Sequence, residues 1–332
     1  MPDAPRVSAG TFAGWSSASV ENGRLRVTVL PDRGAEIVEL VHLERGVDVL
    51  FHAPWGLSPP GSPRREGSDG HAFLEGYAGG WQELFPSVGD PCEYRDASIP
   101  FHGEVATRPW TVTAEVGSDE AVLRCSVECE TVPLRLERLM RLGTGSSELV
   151  LDETVTNVGE QPVHAVWGHH CVLGPPLVAA GARLRLPART IVTIPELWEE
   201  TARLEPGQRS RWPDARLRDG GSVDLSFVPG PDAGSHDDVY LTDLDAGWVE
   251  VENPALGLTF RLHFDPLLFP WVISWQPYGG ALAMPLAGSY GLGVEPWTSR
   301  LCLADAVEAG EALELAPGET VRTTLRAVVT AS

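Results

Sequence analysis

The chain has 332 residues, of which 43% are hydrophobic, so it is long enough to bury a large core. Its 25 Lys and Arg residues against 46 Asp and Glu residues give a formal net charge of −21. That charge repels nucleic acid and anionic membrane surfaces, so neither is expected as a partner. Length alone allows one large domain or two ordinary ones. Because the character of the sequence does not change along the chain, we predict a single domain over residues 1–332.

The cysteines and the first residues indicate the cellular compartment. The five cysteines form no CxxC pair and are odd in number, which is typical of a protein kept in a reducing compartment. The opening "MPDAPRVSAG" lacks the charged start and apolar core of a signal peptide, and no apolar run approaches the roughly 18 residues of a membrane span. We therefore predict a cytoplasmic protein. We expect it to be a monomer or a homodimer.

Alternation of apolar and polar residues recurs along the chain, which predicts half-buried antiparallel strands. In the segment that starts at residue 122, Leu123, Cys125, Val127 and Cys129 share one face, so both cysteines are expected to fill the core. The alternating segments are "LRVTVL" at 25–30, "VLRCSVECE" at 122–130, "LRLERLMRL" at 134–142, "WVEVEN" at 248–253, "TFRLHF" at 259–264 and "VRTTLRAVV" at 321–329.

Helical periodicity is weak, and its best candidate is a short turn or two in "PELWEETARL" at 195–204. Many short strands without alternating helices predict an all-β fold, a large antiparallel β-sandwich or barrel. The Pro- and Gly-rich stretch at 54–70 is predicted to be a long loop at the rim of a site and not a domain boundary.

No nucleotide-binding loop, nucleophile elbow or zinc-protease motif is present, so candidate functional residues are chosen by their sequence context. His102, the His169–His170 pair, the "HDD" segment at 236–238 and Glu295 lie beside glycine, proline or aromatic residues at predicted strand ends. Taken alone, each histidine is more often structural than catalytic. Together they combine groups that titrate near neutral pH with carboxylates, which favours a functional site.

Adjacent side chains of a strand point to opposite faces, so only one member of each adjacent pair lines a given pocket. We predict that His170 faces the pocket and His169 does not, and the same reasoning separates Asp237 from Asp238. Indole faces stack on sugar rings, while carboxylate and imidazole groups bond sugar hydroxyls. Tryptophans therefore favour a carbohydrate pocket, although most of the eleven are expected to fill the core. Those near the polar clusters are Trp81, Trp110, Trp167, Trp275 and Trp297.

Four segments in order along the chain resemble the aldose 1-epimerase (galactose mutarotase-like) superfamily. They are "PFHGEVATRPW" at 100–110, "WGHHCVLG" at 167–174, "HDDVYLTDL" at 236–244 and "GLGVEPWTS" at 291–299. The resemblance extends from about residue 20 to the C-terminal "LAPGETVRTTLRAVV". It implies a large antiparallel β-supersandwich that interconverts the α and β anomers of a free sugar or sugar derivative. It also implies that no cofactor or metal is needed.

The resemblance further implies roles for individual residues. Glu295 resembles the catalytic glutamate, His170 the catalytic histidine, and His102 the histidine that binds the sugar near its ring oxygen. In this scheme the Glu295 carboxylate takes the proton of the anomeric hydroxyl, and the His170 imidazolium protonates the ring oxygen. Counting back from Tyr240 favours Asp237 over Asp238 as the residue that binds a sugar hydroxyl. The residues expected to bind substrate are Asp237, Asp238, Trp81, Gln82, His169, Trp275 and Gln276.

Two departures from the superfamily leave the identity of the sugar open. The chain has "GGWQELFP" at 79–86 where an Asn-Arg pair is common, and His169 stands in place of an asparagine. One alternative on the same fold is a glycosidase or lyase that uses two carboxylates, for instance Glu295 with Asp237. Another is a sugar-binding or regulatory protein without catalysis. A His/Asp metal site is the weakest alternative, because adjacent histidines do not place two ligands on one strand face.

Overall fold

The computed structural model describes residues 4–62 and 71–332, and strands dominate it. Strands hold 49% of the residues and helices 6%, which confirms the all-β prediction. The two α-helices are short, α1 (Ala72–Gly76) and α2 (Leu303–Ala309), and 3-10 turns occur at Val105–Thr107 and Pro231–Ala233. None of the helices in the described ranges is long and apolar enough to cross a lipid bilayer.

The strands follow one another along the whole chain. The first fourteen are β1 (Arg6–Phe12), β2 (Trp15–Glu21), β3 (Leu25–Leu30), β4 (Glu36–His42), β5 (Val47–Asp48), β6 (Trp81–Leu84), β7 (Cys92–Tyr94), β8 (Ala97–Ile99), β9 (Thr111–Val116), β10 (Glu120–Glu128), β11 (Leu134–Gly143), β12 (Glu148–Asn157), β13 (Val163–Ala165) and β14 (Gly168–Leu173). The remainder are β15 (Arg183–Arg185), β16 (Thr190–Thr193), β17 (Arg209–Arg211), β18 (Asp214–Arg216), β19 (Ser222–Asp224), β20 (Ser235–Thr242), β21 (Trp248–Asn253), β22 (Leu258–His263), β23 (Trp271–Tyr278), β24 (Leu292–Gly293), β25 (Glu295–Trp297), β26 (Leu313–Leu315) and β27 (Thr320–Ala331).

Two large sheets contain most of the strands. The larger sheet has 13 strands, in the order β1-β2-β3-β4-β6-β14-β25-β23-β20-β16-β17, with β5 beside β4 and β24 beside β14. The smaller has eight, in the order β15-β21-β22-β27-β12-β11-β10-β9. The pairs β7-β8, β13-β26 and β18-β19 stand apart as two-stranded sheets. The arrangement is the large β-sandwich that the sequence predicts.

The hydrophobic core lies between the two large sheets. In β11, Leu136 and Met140 are fully buried, whereas the positions beside them in sequence are more exposed. This alternation of burial matches the alternation of apolar and polar residues in the sequence. Cys125 on β10 fills a core position, and Cys129 packs partly buried against the same cluster. Arg138 is the exception on β11, since it takes a core-facing position and is fully buried.

The central strands of the larger sheet are buried on both faces. Every residue of β6, β14 and β25 is buried, and so is β23 from Val272 to Tyr278. One face packs on the smaller sheet, where Arg138 of β11 bonds Glu83 of β6 at 3.2 Å. The other face lines a cavity. Because both faces are covered, "GHHCVL" of β14 lacks the alternation of the outer strands.

The segment at 195–204 forms turns in place of the predicted helix. The backbone N–H groups of Arg203 and Leu204 donate to the Asp237 carboxylate at 2.7 and 3.3 Å, so they are not available for helical bonds. Asp237 also accepts a bond from Nε of Arg203 at 2.6 Å. These bonds fasten the segment to β20, where it forms one wall of the cavity.

Leu262 and Leu267 offer a matched test of where the core lies. Leu262 is fully buried in β22, whereas Leu267 is 93% exposed. We expect Leu262→Ala to lower the free energy of unfolding by about 2–5 kcal/mol, because it removes buried methyl groups and leaves a cavity. Leu267→Ala should change it by less than about 0.5 kcal/mol. Urea unfolding followed by tryptophan fluorescence measures both, and equal losses would contradict this placement of the core.

Candidate active site

A cavity of about 620 Å³ lies on the face of the larger sheet that points away from the smaller sheet. Its floor is formed by β14, β25, β23 and β20, which are adjacent in that order and contribute His170, Glu295, Trp275 and Asp238. The volume is in the range of small-molecule sites. The walls are rich in aromatic side chains, among them Phe73, Tyr77, Phe101, Trp198, Tyr240 and Trp297.

His170 and Glu295 are cross-strand neighbours on this floor. β14 pairs with β25 two residues before His170 and with β24 two residues after it, so the register places Glu295 directly opposite. Nε2 of His170 lies 3.9 Å from Oε1 of Glu295, which is too long for a hydrogen bond. Within the described chain, Nδ1 of His170 and Oε1 of Glu295 have no hydrogen-bond partner. The pair therefore has free polar atoms for a ligand.

Two glycines make the space that this arrangement needs. A Cβ atom on Gly293 would collide with the Glu295 carboxylate, and one on Gly168 would collide with the Trp297 indole. Neither glycine has a positive φ, so close approach and not backbone conformation explains them. The glycines of "WGHH" and "GLGVEPW" thus allow the carboxylate and the indole to lie against the sheet.

Burial controls the protonation of the pair. It lowers the pKa of His170 to about 3. Burial, with the Asp238 charge adding to it, raises the pKa of Glu295 well above its usual value. These shifts favour a pair with the proton on Glu295 and a neutral His170. That arrangement differs from the expected Glu295 carboxylate and His170 imidazolium, because burial disfavours both charges.

His102 enters the cavity from the loop that follows β8. Its backbone N–H donates to the Gly89 carbonyl at 2.9 Å, and its Nδ1 accepts from the Gly89 N–H at 3.0 Å. These two bonds hold His102 in the left-handed region, at a φ of 61°. Burial, followed by the influence of His170, lowers the pKa of His102 well below its usual value. The ring is therefore neutral, and since Nδ1 is an acceptor, Nε2 carries a proton that it can donate.

The register of β20 places Asp238, and not Asp237, at the cavity. Asp238 lies opposite Trp275, burial raises its pKa to about 7, and its Oδ1 has no hydrogen-bond partner among the described residues. Asp237 is 1% exposed and is held by Arg203. The preference for Asp237 as the sugar ligand is therefore corrected to Asp238. Asp238 shares the face of Tyr240 because the two are two residues apart.

His169 points into the core, which corrects its inclusion among the substrate-binding residues. Its Nε2 lies 3.1 Å from Oε2 of Glu153, and its Nδ1 accepts from the Trp81 indole N–H at 3.2 Å. Burial alone would lower the pKa of His169, but the charges of Glu83 and Glu153 raise it. His169 and Arg138 lie against the two carboxylates of this buried cluster, in which burial and the charge of Glu83 raise the pKa of Glu153 to about 7.

The same cluster is the candidate metal centre. Within the described ranges, Glu83, Glu153 and His169 are the one group of three ligand residues close enough to share an ion, with ligand atoms within 4.8 Å of one another. The guanidinium of Arg138 already bonds Glu83 and would repel a divalent cation at this place. We therefore interpret the cluster as a charge-compensated part of the core.

Three further residues that were expected to bind substrate do not reach the cavity. Trp81 and Gln276 are buried on the core-facing side of their strands, where Gln276 donates to Ser274. Gln82 lies opposite His170 in the register, but its amide donates to Glu36 at 2.8 Å and lines a separate pocket of about 170 Å³. Phe73 of α1 and Tyr77, the residue that follows α1, line both this pocket and the main cavity.

Trp275 does line the cavity, and a relay of side chains holds it. Its indole N–H donates to Nε2 of His236 at 2.7 Å, and Nδ1 of His236 bonds the Glu199 carboxylate. Trp198 packs on His236 with ring centroids 4.1 Å apart. The relay joins the floor to the wall segment at 195–204. The "HDD" pattern drew attention to His236, but nothing in the sequence indicates Glu199, which is 37 residues away from its partner.

The stretch at 54–70 is described only as far as residue 62. Residues 54–62 form turns and irregular backbone, and none of them lines the cavity. Residues 63–70 lie outside the described residues, so the rim position of this stretch stays a prediction.

Solved structures of the same fold were found in several organisms. The Slr1438 protein of Synechocystis sp. PCC 6803 is 18% identical with a TM-score of 0.69, over 97% of this chain and 99% of that one. A presumed aldose 1-epimerase from Klebsiella pneumoniae subsp. pneumoniae is 17% identical with a TM-score of 0.74, over 99% and 83%. A galactose mutarotase-like protein from Clostridium acetobutylicum is 14% identical with a TM-score of 0.65, over 98% and 99%.

These likenesses show that the fold is that of the galactose mutarotase-like β-sandwich. Among curated proteins, none matches the sequence significantly. A family model described as "Domain of unknown function (DUF4432)" matches residues 13–329, which is almost the whole chain. The chain therefore belongs to the DUF4432 family and has the galactose mutarotase-like fold.

Proposed function

We propose that the protein is a cofactor-independent aldose 1-epimerase, which interconverts the α and β anomers of a free sugar or sugar derivative. The observation that carries the proposal is the His170–Glu295 pair, whose facing atoms lie 3.9 Å apart on the cavity floor. Buried acid and base groups with shifted pKa values at a cavity are typical of acid–base catalysis. The likeness to a presumed aldose 1-epimerase supports the same activity by analogy of fold.

The cavity suits a sugar ring. Buried polar atoms of its lining residues lack hydrogen-bond partners within the described chain, among them Oδ1 of Asp238, Oε1 of Glu295 and Nε1 of Trp297. Sugar hydroxyls both donate and accept, so one ring can satisfy acceptors and donors together. The aromatic walls offer faces for the C–H side of the ring.

Mutarotation needs one proton taken from the anomeric hydroxyl and one given to the ring oxygen. Neutral His170 accepts the first proton while protonated Glu295 gives the second, and the bond from C1 to the ring oxygen breaks to leave an open-chain aldehyde. Rotation about the C1–C2 bond presents the other face of the aldehyde to the C5 hydroxyl. Reclosure returns a proton from His170 to the anomeric oxygen and one from the C5 hydroxyl to Glu295, so the pair is regenerated.

Two further side chains orient the sugar in this scheme. The Nε2–H of His102 donates to a sugar oxygen, because its Nδ1 is held by Gly89. The free oxygen of Asp238 accepts from a sugar hydroxyl. The His102 ring lies 5.7 Å from that of His170, whereas Asp238 stands on β20, so two separate anchors orient the ring.

The structure gives less support to the alternatives. A glycosidase or lyase that pairs Glu295 with Asp237 is disfavoured, since Asp237 is bound to Arg203 at 2.6 Å and does not line the main cavity. Asp238 does line it, so an assay of glycoside cleavage tests the pairing of Glu295 with Asp238. A sugar-binding protein without catalysis would keep the same cavity, and a rate measurement distinguishes it. We also propose a cytoplasmic location and a single domain, and the free state of all five cysteines supports a reducing compartment.

Glu295→Gln tests the acid–base role. The substitution keeps shape and hydrogen bonding but removes the transferable proton, so sugar binding should stay within about tenfold while anomer exchange slows by at least about 100-fold. Exchange NMR of the α and β signals measures the rate, and calorimetry measures binding. Glu196→Gln, which removes a carboxylate from the cavity wall, is the matched control. Normal exchange in Glu295→Gln would remove the residue from the mechanism.

Asp238→Asn tests the electrostatic coupling of the two carboxyl groups. Because Asp238 contributes to the raised pKa of Glu295, removing its charge should lower that pKa. The alkaline limb of the exchange rate, set by loss of the proton of Glu295, should therefore move to lower pH. The acid limb, set by protonation of His170, should stay. A pH series of exchange spectra measures both limbs, and an alkaline limb that moves to higher pH would contradict the coupling.

A further inference from the structure

Arg300 is a cation in the cavity that the proposed mechanism does not use. Of the lining residues in the described chain, it is the one Lys or Arg. Its guanidinium lies over the rings of Tyr240 and Trp271, 5.7 and 5.5 Å from their centroids. The backbone beside it is fixed, because the Leu301 N–H donates to Oγ of Ser299 at 3.1 Å. The side chain is therefore held against the sheet face over β20 and β23.

This guanidinium makes no close ion pair with a carboxylate of the described residues. None of the ion pairs found among the described residues includes Arg300, whereas Arg203 and Arg138, which lie near the same strands, bond carboxylates. Nε of Arg300 is buried and has no hydrogen-bond partner in the described part of the chain. A buried donor without an acceptor is costly, and a ligand that supplies the acceptor recovers the lost bond. The arrangement therefore points to an anionic ligand group.

The register gives the distance from Tyr240, over which the Arg300 guanidinium lies, to the reacting centre. Glu295 pairs with Ile273, and Ile273 pairs with Tyr240, so these side chains form one row across the sheet. Neighbouring strands lie about 4.8 Å apart, which places Tyr240 about 10 Å from Glu295. One pyranose ring with an exocyclic group, together with the hydrogen bonds at its two ends, covers that span. A sugar with C1 at the pair would therefore extend its exocyclic group toward Tyr240 and the guanidinium that lies over it.

Three carboxylates limit the charge that the cavity accepts. Asp90, Glu196 and Asp305 line it together with Arg300. Their negative charges oppose a ligand more strongly as its own negative charge rises. A phosphate dianion is therefore disfavoured against a carboxylate or sulfonate monoanion.

We infer that Arg300 binds an exocyclic monoanion of the sugar, which makes the substrate a hexose acid instead of a neutral hexose or a hexose phosphate. A planar guanidinium fits a carboxylate or sulfonate with two parallel hydrogen bonds. The inference rests on the proposed function of the same cavity and adds its substrate class.

Binding measurements on three proteins test it. Wild type, Arg300→Gln and Arg209→Gln are titrated by calorimetry with glucuronate, galacturonate, 6-deoxy-6-sulfonatoglucose, glucose, galactose and glucose 6-phosphate. Arg209 is the matched control, since its side chain is 61% exposed. Wild type and Arg209→Gln should bind at least one of the monoanionic sugars more tightly than its neutral parent and than the phosphate. Arg300→Gln should reduce that preference about 10- to 100-fold, the loss expected for charge-assisted hydrogen bonds.

The outcomes separate this inference from the proposed function. Equal or tighter binding of neutral sugars or of the phosphate by wild type, or an unchanged preference in Arg300→Gln, overturns the role of Arg300. Anomer exchange of neutral sugars, with no preference for an acidic sugar, would also contradict the role of Arg300 but would leave the epimerase proposal intact. Preference for an acid without any anomer exchange would instead contradict the epimerase and leave the binding role standing. Failure of every sugar to bind contradicts both.

Discussion

The antiparallel register of β14 against β25 is the constraint on which the candidate site depends. It sets His170 opposite Glu295 and places the two side chains at 3.9 Å on the cavity face. A slip of one residue would turn His169 to the cavity and bury His170 in the core. The register is strongly specified because both faces of these central strands are covered, and each face accepts only one set of side chains. Gly293 completes the fit by leaving room for the carboxylate.

Behind the His170–Glu295 pair, the same strands carry paired charged groups into the core. His169, the sequence neighbour of His170, contacts Glu153 of the smaller sheet, and Glu83 contacts Arg138. Burying charges is costly unless they are paired, so losing one partner would leave a charge uncompensated. The cluster joins β6 and β14 of one sheet to β11 and β12 of the other. The strand that presents His170 to the cavity is therefore anchored from its rear face.

The outer strands and part of the site could be predicted from the sequence, for different physical reasons. Strands with one solvated face show alternating apolar and polar residues, which predict them. The His170 and Glu295 segments could be chosen as candidate site segments because glycine and aromatic residues flank them. The choice between Asp237 and Asp238 needed the register, because a shift of one residue exchanges the two faces. Predicting which residue of the pair holds the proton required knowing how deeply the pair is buried, and no local sequence pattern indicates that. Arg300 gave no signal, since its importance lies in the carboxylate partner that it lacks within the described chain.

The central claim is that His170 and Glu295 act as one proton-transfer unit, and a double-mutant cycle tests it most directly. Anomer-exchange rates are measured for wild type, His170→Gln, Glu295→Gln and the double variant, after subtraction of the uncatalysed rate. Residues that act as a unit are strongly non-additive. The account predicts that the double variant is no slower than the slower single variant. Losses that multiply in the double variant would contradict it, because two independent groups would then contribute separately to the rate.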